Sequence, residues 1–144
     1  MRWYRASPRR REDRTAENPG GEGPAYRLSG ATDEAAIVGE SLAGLFVVET
    51  FLLDPDLFDT YIAFGPSLWW NNQRLVLQAG ERLRAQPGLK KTLYFASSGE
   101  RGLAEVAQRF AETLEKNAPL GVKWHYEKMP EEQHSTIYHP AALK

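Results

Sequence analysis

A serine between two small residues is the first feature of this chain that could carry out chemistry. Ser41 lies in the sequence GESLAG, which joins the apolar run AAIV to a second apolar run, LFVV, with helical composition. The small residues Gly39 and Ala43 allow a turn so tight that the serine hydroxyl is exposed at the end of a strand, above a helix N-terminus. This pattern is typical of a nucleophile elbow, although Ala43 stands where the strict pattern has glycine, and it predicts serine-dependent ester hydrolysis.

A serine hydroxyl is a weak nucleophile at neutral pH and needs a base, usually a histidine oriented by a carboxylate. His134 follows the last predicted strand, where an α/β-hydrolase carries its base, because the chain order there is serine, acid, histidine. His125 is predicted on the exposed face of that strand, and His139 is predicted to pack or cap at the start of the terminal segment. A metal site at His134 and His139 is disfavoured by their spacing and by the lack of a third ligand nearby.

The carboxylate that would orient His134 has several candidates. Glu100 lies in the loop after the third predicted strand, and we favour it as the acid; the alternative is a helix N-terminal residue favoured by the helix dipole. Glu131 or Glu132 could instead orient His134 locally, or the site could work as a serine–histidine pair. The chemistry requires no metal and no organic cofactor.

Strands that alternate with helices are predicted to position these residues. The strands are predicted at 35–39, 59–64, 91–96 and 121–129, and the helices at 42–53, 72–86 and 102–117. The alternation predicts an α/β class with a partial α/β-hydrolase fold, in which about four mostly parallel strands have flanking helices. The first strand is predicted to be buried and the last to be an edge strand. Ligand chemistry in such sheets collects at the carboxyl ends of the strands, where Ser41 is predicted.

The composition divides the chain into residues 1–33 and residues 34–144. The first segment is rich in Arg, Pro and Gly, with six arginines in its first fourteen residues, and we expect it to be an irregular tail. We predict a flexible tail, and a basic arm for nucleic acid is the less favoured alternative. The second segment is predicted to be a single domain with its own core.

Overall charge and composition exclude several classes of function. A net charge of −1 argues against general affinity for nucleic acid, and the absence of cysteine excludes disulfides and thiol nucleophiles. No apolar run is long enough to span a membrane, and no secretory signal pattern is present. We therefore expect a cytoplasmic protein that acts on a small-molecule ester, without membrane or nucleic-acid partners.

Four segments resemble the Putative esterase family of α/β-hydrolases, which includes enterobactin and bacillibactin siderophore esterases. They are GESLAGLF, PDLFDTYIA, GPSLWW and EQHST, and the resemblance extends over residues 34–144. It implies a siderophore-type serine esterase with Ser41 as nucleophile and His134 as base. It also implies that the Leu42 N–H contributes to the oxyanion hole and that Trp69 and Trp70 lie near the acyl or catechol side of the pocket. Simple packing beside the strand end is the alternative for both tryptophans.

The chain departs from this family before the elbow. Family members carry several strands there, and one of the loops supplies a second oxyanion donor, whereas here the irregular tail precedes the elbow strand. The resemblance thus implies an N-terminally truncated member that corresponds to the C-terminal half of a hydrolase. An inactive remnant or interaction fragment, self-associating through the exposed edge of the elbow strand, is the alternative. Acyl transfer to an alcohol or thiol would need the same residues as hydrolysis.

Overall fold

The computed structural model describes residues 34–144, in which strands and helices alternate along the chain. The predicted tail and its arginines lie outside the described residues. The elements are β1 (Ala36–Glu40), α1 (Leu42–Leu53), β2 (Thr60–Phe64), α2 (Trp70–Arg84), β3 (Thr92–Ser98), α3 (Arg101–Asn117), β4 (Lys123–Met129) and α4 (Tyr138–Ala142), with a 3-10 turn at Pro55–Leu57. None of these helices is long and apolar enough to cross a membrane.

The four strands form one parallel sheet in the order β1-β2-β3-β4. The predicted α/β class with parallel strands is confirmed, and β4 is an edge strand as expected. Because the strands are parallel, their carboxyl ends lie at one edge of the sheet. The loops at that edge carry Ser41 after β1, Glu100 after β3 and His134 after β4.

The main core lies between one face of the sheet and helices α1, α2 and α3. Aromatic rings fill much of it: Phe95 on β3 packs against Phe110 of α3 at 5.2 Å and is stacked on Tyr126 of β4 at 4.6 Å between ring centroids. Full burial of such side chains contributes about 1.5–3 kcal/mol each. This packing fixes β3 and α3 as a rigid support for the loop between them.

The opposite face of the sheet is covered near the carboxyl ends of the strands. There Ile137 and Ala141 pack on Phe64 and Ala96. The prediction that β1 is a buried strand was wrong for this second face, where Val38 is 50% exposed; Ile37, on the other face, is buried in the main core. The apolar run AAIV therefore forms a strand that is buried on one face only.

Asp59 links the segments that precede β1 and β3, at the amino-terminal ends of these strands. Its carboxylate accepts hydrogen bonds from the backbone N–H of Ala35 at 2.9 Å and from Nζ of Lys91 at 3.2 Å. The backbone hydrogen bond, and then the contact with the lysine, lower the pKa of Asp59 below its ordinary value. The charged form of Asp59 is consequently the one that stabilises the fold.

Replacing Asp59 with asparagine is expected to lower stability by less than about 1 kcal/mol at neutral pH, since the carboxylate is 44% exposed and solvent screens the interaction. A lowered folded-state pKa means that the stabilisation is present above the unfolded pKa and is lost as the pH falls through the folded value. The deficit of the variant should therefore shrink below about pH 4. Urea unfolding of both proteins across this range would test it, and a deficit independent of pH would contradict the assignment.

Candidate active site

Ser41 has the strained backbone expected at a nucleophile elbow. It joins β1 to α1 with φ 58° and ψ −118°, a conformation that residues other than glycine rarely adopt. The surrounding backbone holds it there: the Ser41 N–H donates to the carbonyl of Phe64 at 3.0 Å, and its own carbonyl accepts from Leu45 and Ser67 at 2.9 and 3.0 Å. The tight strand-to-helix turn predicted from the sequence is present.

Two glycines allow the strand and the helix to approach each other at this turn. A Cβ on Gly39 would lie 2.4 Å from the carbonyl oxygen of Ala43, and a Cβ on Gly44 would lie 3.1 Å from Cα of Pro66. The backbone contact at Gly39 is the tighter one and cannot be relieved by moving a side chain. Ala43 itself fits at the position where the strict pattern has glycine.

Replacing Gly39 with alanine is expected to lower the free energy of unfolding by about 1–3 kcal/mol or more, because the new methyl group overlaps backbone atoms of α1. Gly88→Ala is the matched control, since a Cβ there would meet no atom within 4 Å. Thermal and urea unfolding followed by circular dichroism would measure both variants. Equal stability of the two would show that the elbow is looser than the structure indicates.

His134 is the histidine that reaches the elbow serine. Its Nε2 lies 3.0 Å from Oγ of Ser41, although 93 residues separate them in sequence. The other ring nitrogen, Nδ1, is buried without a hydrogen-bond partner among the described residues and faces Gly65, where a Cβ would lie 3.1 Å away. Gly65 has φ 50°, so glycine suits both the backbone and the space that the imidazole occupies. In this arrangement the serine hydroxyl can donate to Nε2.

Glu100 lies at the site but does not contact the imidazole as a triad acid would. Its Oε2 accepts from the backbone N–H of His134 at 3.0 Å and from Oγ of Ser98 at 3.2 Å. The loop presents its backbone to Glu100, while the imidazole ring turns to Ser41. The alternative Glu132 accepts from Thr136 instead, at 2.7 Å. Among residues 34–144, no carboxylate bonds Nδ1 of His134.

Leu42 is the first residue of α1, so its N–H has no carbonyl one turn earlier in the helix. The N–H lies next to the elbow serine, at the positive end of the helix dipole, as an oxyanion donor requires. Ser67, which the sequence reasoning did not single out, is buried and has its Oγ 3.4 Å from Oγ of Ser41. Its position directly after β2, the strand paired with β1, was the signal available in the sequence.

A cleft of about 760 Å³ opens beside Ser41 and His134. Trp69 and Trp70 form part of its wall, each about half exposed, with ring centroids 5.6 Å apart. Both tryptophans therefore line the cleft that contains Ser41 and His134. The other lining residues are Leu42, Ser67, Gln73, Glu100, Gly102, Leu103, Glu105, Val106 and Arg109.

A left-handed turn follows the two tryptophans. Asn71, Asn72 and Gln73 have φ values of 49°, 54° and 60°, so the right-handed part of α2 starts later than the predicted residue 72. Asparagine tolerates this conformation better than most residues. Oε1 of Gln73 accepts from Arg109 of α3 at 2.8 Å, which links α2 to α3 at the rim of the cleft.

The remaining histidines lie away from Ser41. His125 is exposed on β4, with Nε2 3.0 Å from a carboxylate oxygen of Glu127, as expected for a surface residue. His139 is exposed in α4, and its ring contacts Tyr138 at 5.4 Å between centroids. No group of three or more His, Cys, Asp or Glu side chains suited to a metal ion occurs in the described part of the chain.

Together, a parallel sheet, a strained serine between a strand and a helix, and a histidine after the last strand define an α/β-hydrolase fold. Residues 25–140 match the family model for Esterase, described as "Putative esterase". The chain belongs to this family.

Two characterised relatives match shorter segments of the chain. A siderophore enterobactin esterase from Emericella nidulans is 41% identical over 44 residues, which is 31% of this chain and 14% of the relative. The ferri-bacillibactin esterase BesA from Bacillus subtilis is 43% identical over 61 residues, which is 42% of this chain and 17% of the relative. The chain therefore matches less than a fifth of the length of either relative.

A solved structure shows the same arrangement of elements. The IroE-like serine hydrolase from Shewanella oneidensis superposes with a TM-score of 0.67 and 27% identity. The match covers 75% of this chain and 37% of that structure. The described sheet thus corresponds to a little over a third of the longer hydrolase.

Proposed function

We propose that this chain is a serine carboxylic-ester hydrolase of the siderophore-esterase type, with Ser41 as nucleophile and His134 as base. The observation that carries the proposal is the distance of 3.0 Å between Oγ of Ser41 and Nε2 of His134, at the cleft and at the carboxyl ends of the strands. Membership of the esterase family supports the same chemistry.

The proposed reaction has two steps. Oγ of Ser41 attacks the carbonyl carbon of the ester while its proton moves to Nε2 of His134, and the Leu42 N–H donates to the developing oxyanion. The tetrahedral intermediate then breaks its C–O bond, and His134 gives the proton to the leaving alcohol. Water, deprotonated by His134, then attacks the acyl carbon. The C–Oγ bond breaks, His134 returns the proton to Oγ of Ser41, and the acid is released.

The base is proposed to work without a carboxylate on its ring. Nδ1 of His134 has no hydrogen-bond partner among the described residues, and Glu100 bonds the backbone instead. A serine–histidine pair, one of the alternatives left open by the sequence, is the arrangement that these contacts support. Glu131 and Glu132 receive no support as orienting residues, since Nδ1 of His134 has no partner among the described residues and Glu132 accepts from Thr136.

The substrate is proposed to be a siderophore ester. The two relatives act, by name, on enterobactin and on ferri-bacillibactin. The cleft beside Ser41 offers the rings of Trp69 and Trp70, which suit packing against an aromatic acyl or catechol group. At about 760 Å³ it is large enough for a ligand well beyond a simple acetyl ester.

A fluorophosphonate probe tests the activated serine directly. The purified full chain would be labelled, digested and mapped by mass spectrometry, beside a heat-denatured control. We expect labelling confined to Ser41 and lost on denaturation, followed by hydrolysis of enterobactin and of p-nitrophenyl butyrate. A folded protein that does not label would contradict the proposal.

One observation favours the alternative of an inactive remnant or interaction fragment. In the described sheet β1 is an edge strand, paired only with β2. Such an edge can pair with a second copy of the chain. Analytical ultracentrifugation over a concentration series would detect that association, and it would favour the alternative if the same sample fails to label with the probe.

A further inference from the structure

The loop that carries His134 lies directly against the loop after β3. The N–H of Gly99 donates to the carbonyl of Glu132 at 2.9 Å. A Cβ on Gly99 would lie 2.1 Å from the carbonyl oxygen of Pro130, so the approach of the two backbones requires glycine at this position. The loop that carries His134 is therefore aligned by the loop after β3, which the core packing of β3 and α3 holds in place.

The next residue, Glu100, extends this contact to the histidine itself. It is the N-cap residue of α3, yet its side chain makes no capping bond to its own helix. One carboxylate oxygen instead accepts from both the backbone N–H of His134 and the hydroxyl of Ser98. Ser98 is buried, so it fixes the carboxylate at the point where the histidine backbone passes. A hydrogen bond from an N–H to a charged carboxylate is about twice as strong as one to a neutral acceptor.

The loop is anchored on its far side by a different group. Ile137 is fully buried on the second face of the sheet, and its N–H bonds the carbonyl of Gln133. His134 lies between this anchor and the Gly99 contact, with its ring held 3.0 Å from Ser41. The hydrogen bond that the His134 N–H donates to Glu100 thus holds the backbone at the residue that carries the imidazole.

We propose that Glu100 is a positioning residue that holds His134 against Ser41 through the backbone N–H, with Gly99 providing the close approach. This inference rests on the proposed function of Ser41 and His134. In this role Glu100 acts as a hydrogen-bond acceptor for the backbone N–H of His134. A triad acid would instead bond the imidazole ring and stabilise its positive charge. Displacement of a catalytic group by 1 Å can cost about 10²-fold in rate.

Replacing Glu100 with glutamine and with alanine separates the two roles. Glutamine keeps an acceptor oxygen at the same reach and loses the charge, so we expect kcat within about threefold of the wild type. Alanine loses the acceptor, and we expect kcat to fall about 10–100-fold with KM changed less than about twofold. Glu115→Ala, an exposed residue on the same helix, is the control. A glutamine variant as impaired as the alanine variant would overturn the proposal in favour of a charge effect.

A second measurement does not depend on catalysis. In the Ser41→Ala background, amide hydrogen exchange of the segment 130–137 would be followed for each Glu100 variant. We expect exchange at the His134 amide to be about tenfold faster in Glu100→Ala and unchanged in Glu100→Gln. Unchanged exchange in Glu100→Ala would overturn the proposal whether or not the wild type hydrolyses esters. Failure of the proposed function alone would appear as an inactive wild type that still shows the difference in exchange.

Discussion

Ser41→Ala is expected to lower the rate of ester hydrolysis by at least about 10³-fold while the fold is kept. The variant removes the only atom that the proposed mechanism uses to form the acyl-enzyme, and removal of a catalytic serine elsewhere costs about 10⁶-fold in kcat. Alanine at a positive φ carries the same strain as serine, so the elbow itself should survive. Initial rates with p-nitrophenyl butyrate and enterobactin would measure the loss, and circular dichroism would report the fold.

Two further serines make this experiment specific. Ser135 is exposed beside the base in sequence, and Ser135→Ala should retain wild-type activity. Ser67 is buried with its hydroxyl 3.4 Å from Oγ of Ser41, so it is the other hydroxyl that a probe in the cleft could reach. If Ser41→Ala still labels, and the label maps to Ser67, then the assignment of the nucleophile is wrong.

The elbow turn and the place of His134 in the loop after the last strand could be predicted because both depend on short stretches of sequence. The turn at Ser41 needs small residues within two positions of it, and a strand followed by a helix is visible in the apolar pattern. His134 was found because it lies in the loop after the last strand, where parallel strands bring their loops to one edge. Neither prediction required knowledge of a contact between distant side chains.

The contacts of Glu100 could not be predicted in this way. The sequence places Glu100 in the correct loop, but it does not say whether a carboxylate meets the ring or the backbone of His134. That outcome depends on the path of the chain from Pro130, which the approach at Gly99 decides. The exposed face of β1 was missed for a related reason: Val38 is apolar, and the strand alone does not show which of its faces is covered.

The left-handed turn of α2 illustrates a third limit. Helical composition begins near Asn72, but three consecutive residues there adopt positive φ values. Asparagine tolerates positive φ, but that preference does not show that three residues in a row adopt it. The side chain of the third residue, Gln73, accepts a hydrogen bond from Arg109, a contact across 36 residues that the local sequence does not show.

His134→Ala is expected to lower ester hydrolysis by at least about 10³-fold, because Ser41 then has no base and its hydroxyl reacts poorly at neutral pH. The substitution empties the space beside Gly65 that the imidazole occupies. Added imidazole should therefore restore part of the activity, rising with its concentration, whereas a variant that has lost its fold would not respond. Rates measured with and without imidazole, alongside thermal unfolding, would separate these cases.

The two other histidines provide the matched controls for this prediction. His125→Ala and His139→Ala remove exposed rings on β4 and α4, and both variants should keep wild-type rates. If His139→Ala were as impaired as His134→Ala, the loss of activity would not be specific to His134, and the assignment of His134 as the base would be wrong. If all three alanine variants kept full activity, the contact of 3.0 Å between His134 and Ser41 would have no part in hydrolysis. A serine–histidine pair would then not account for any ester cleavage by the chain.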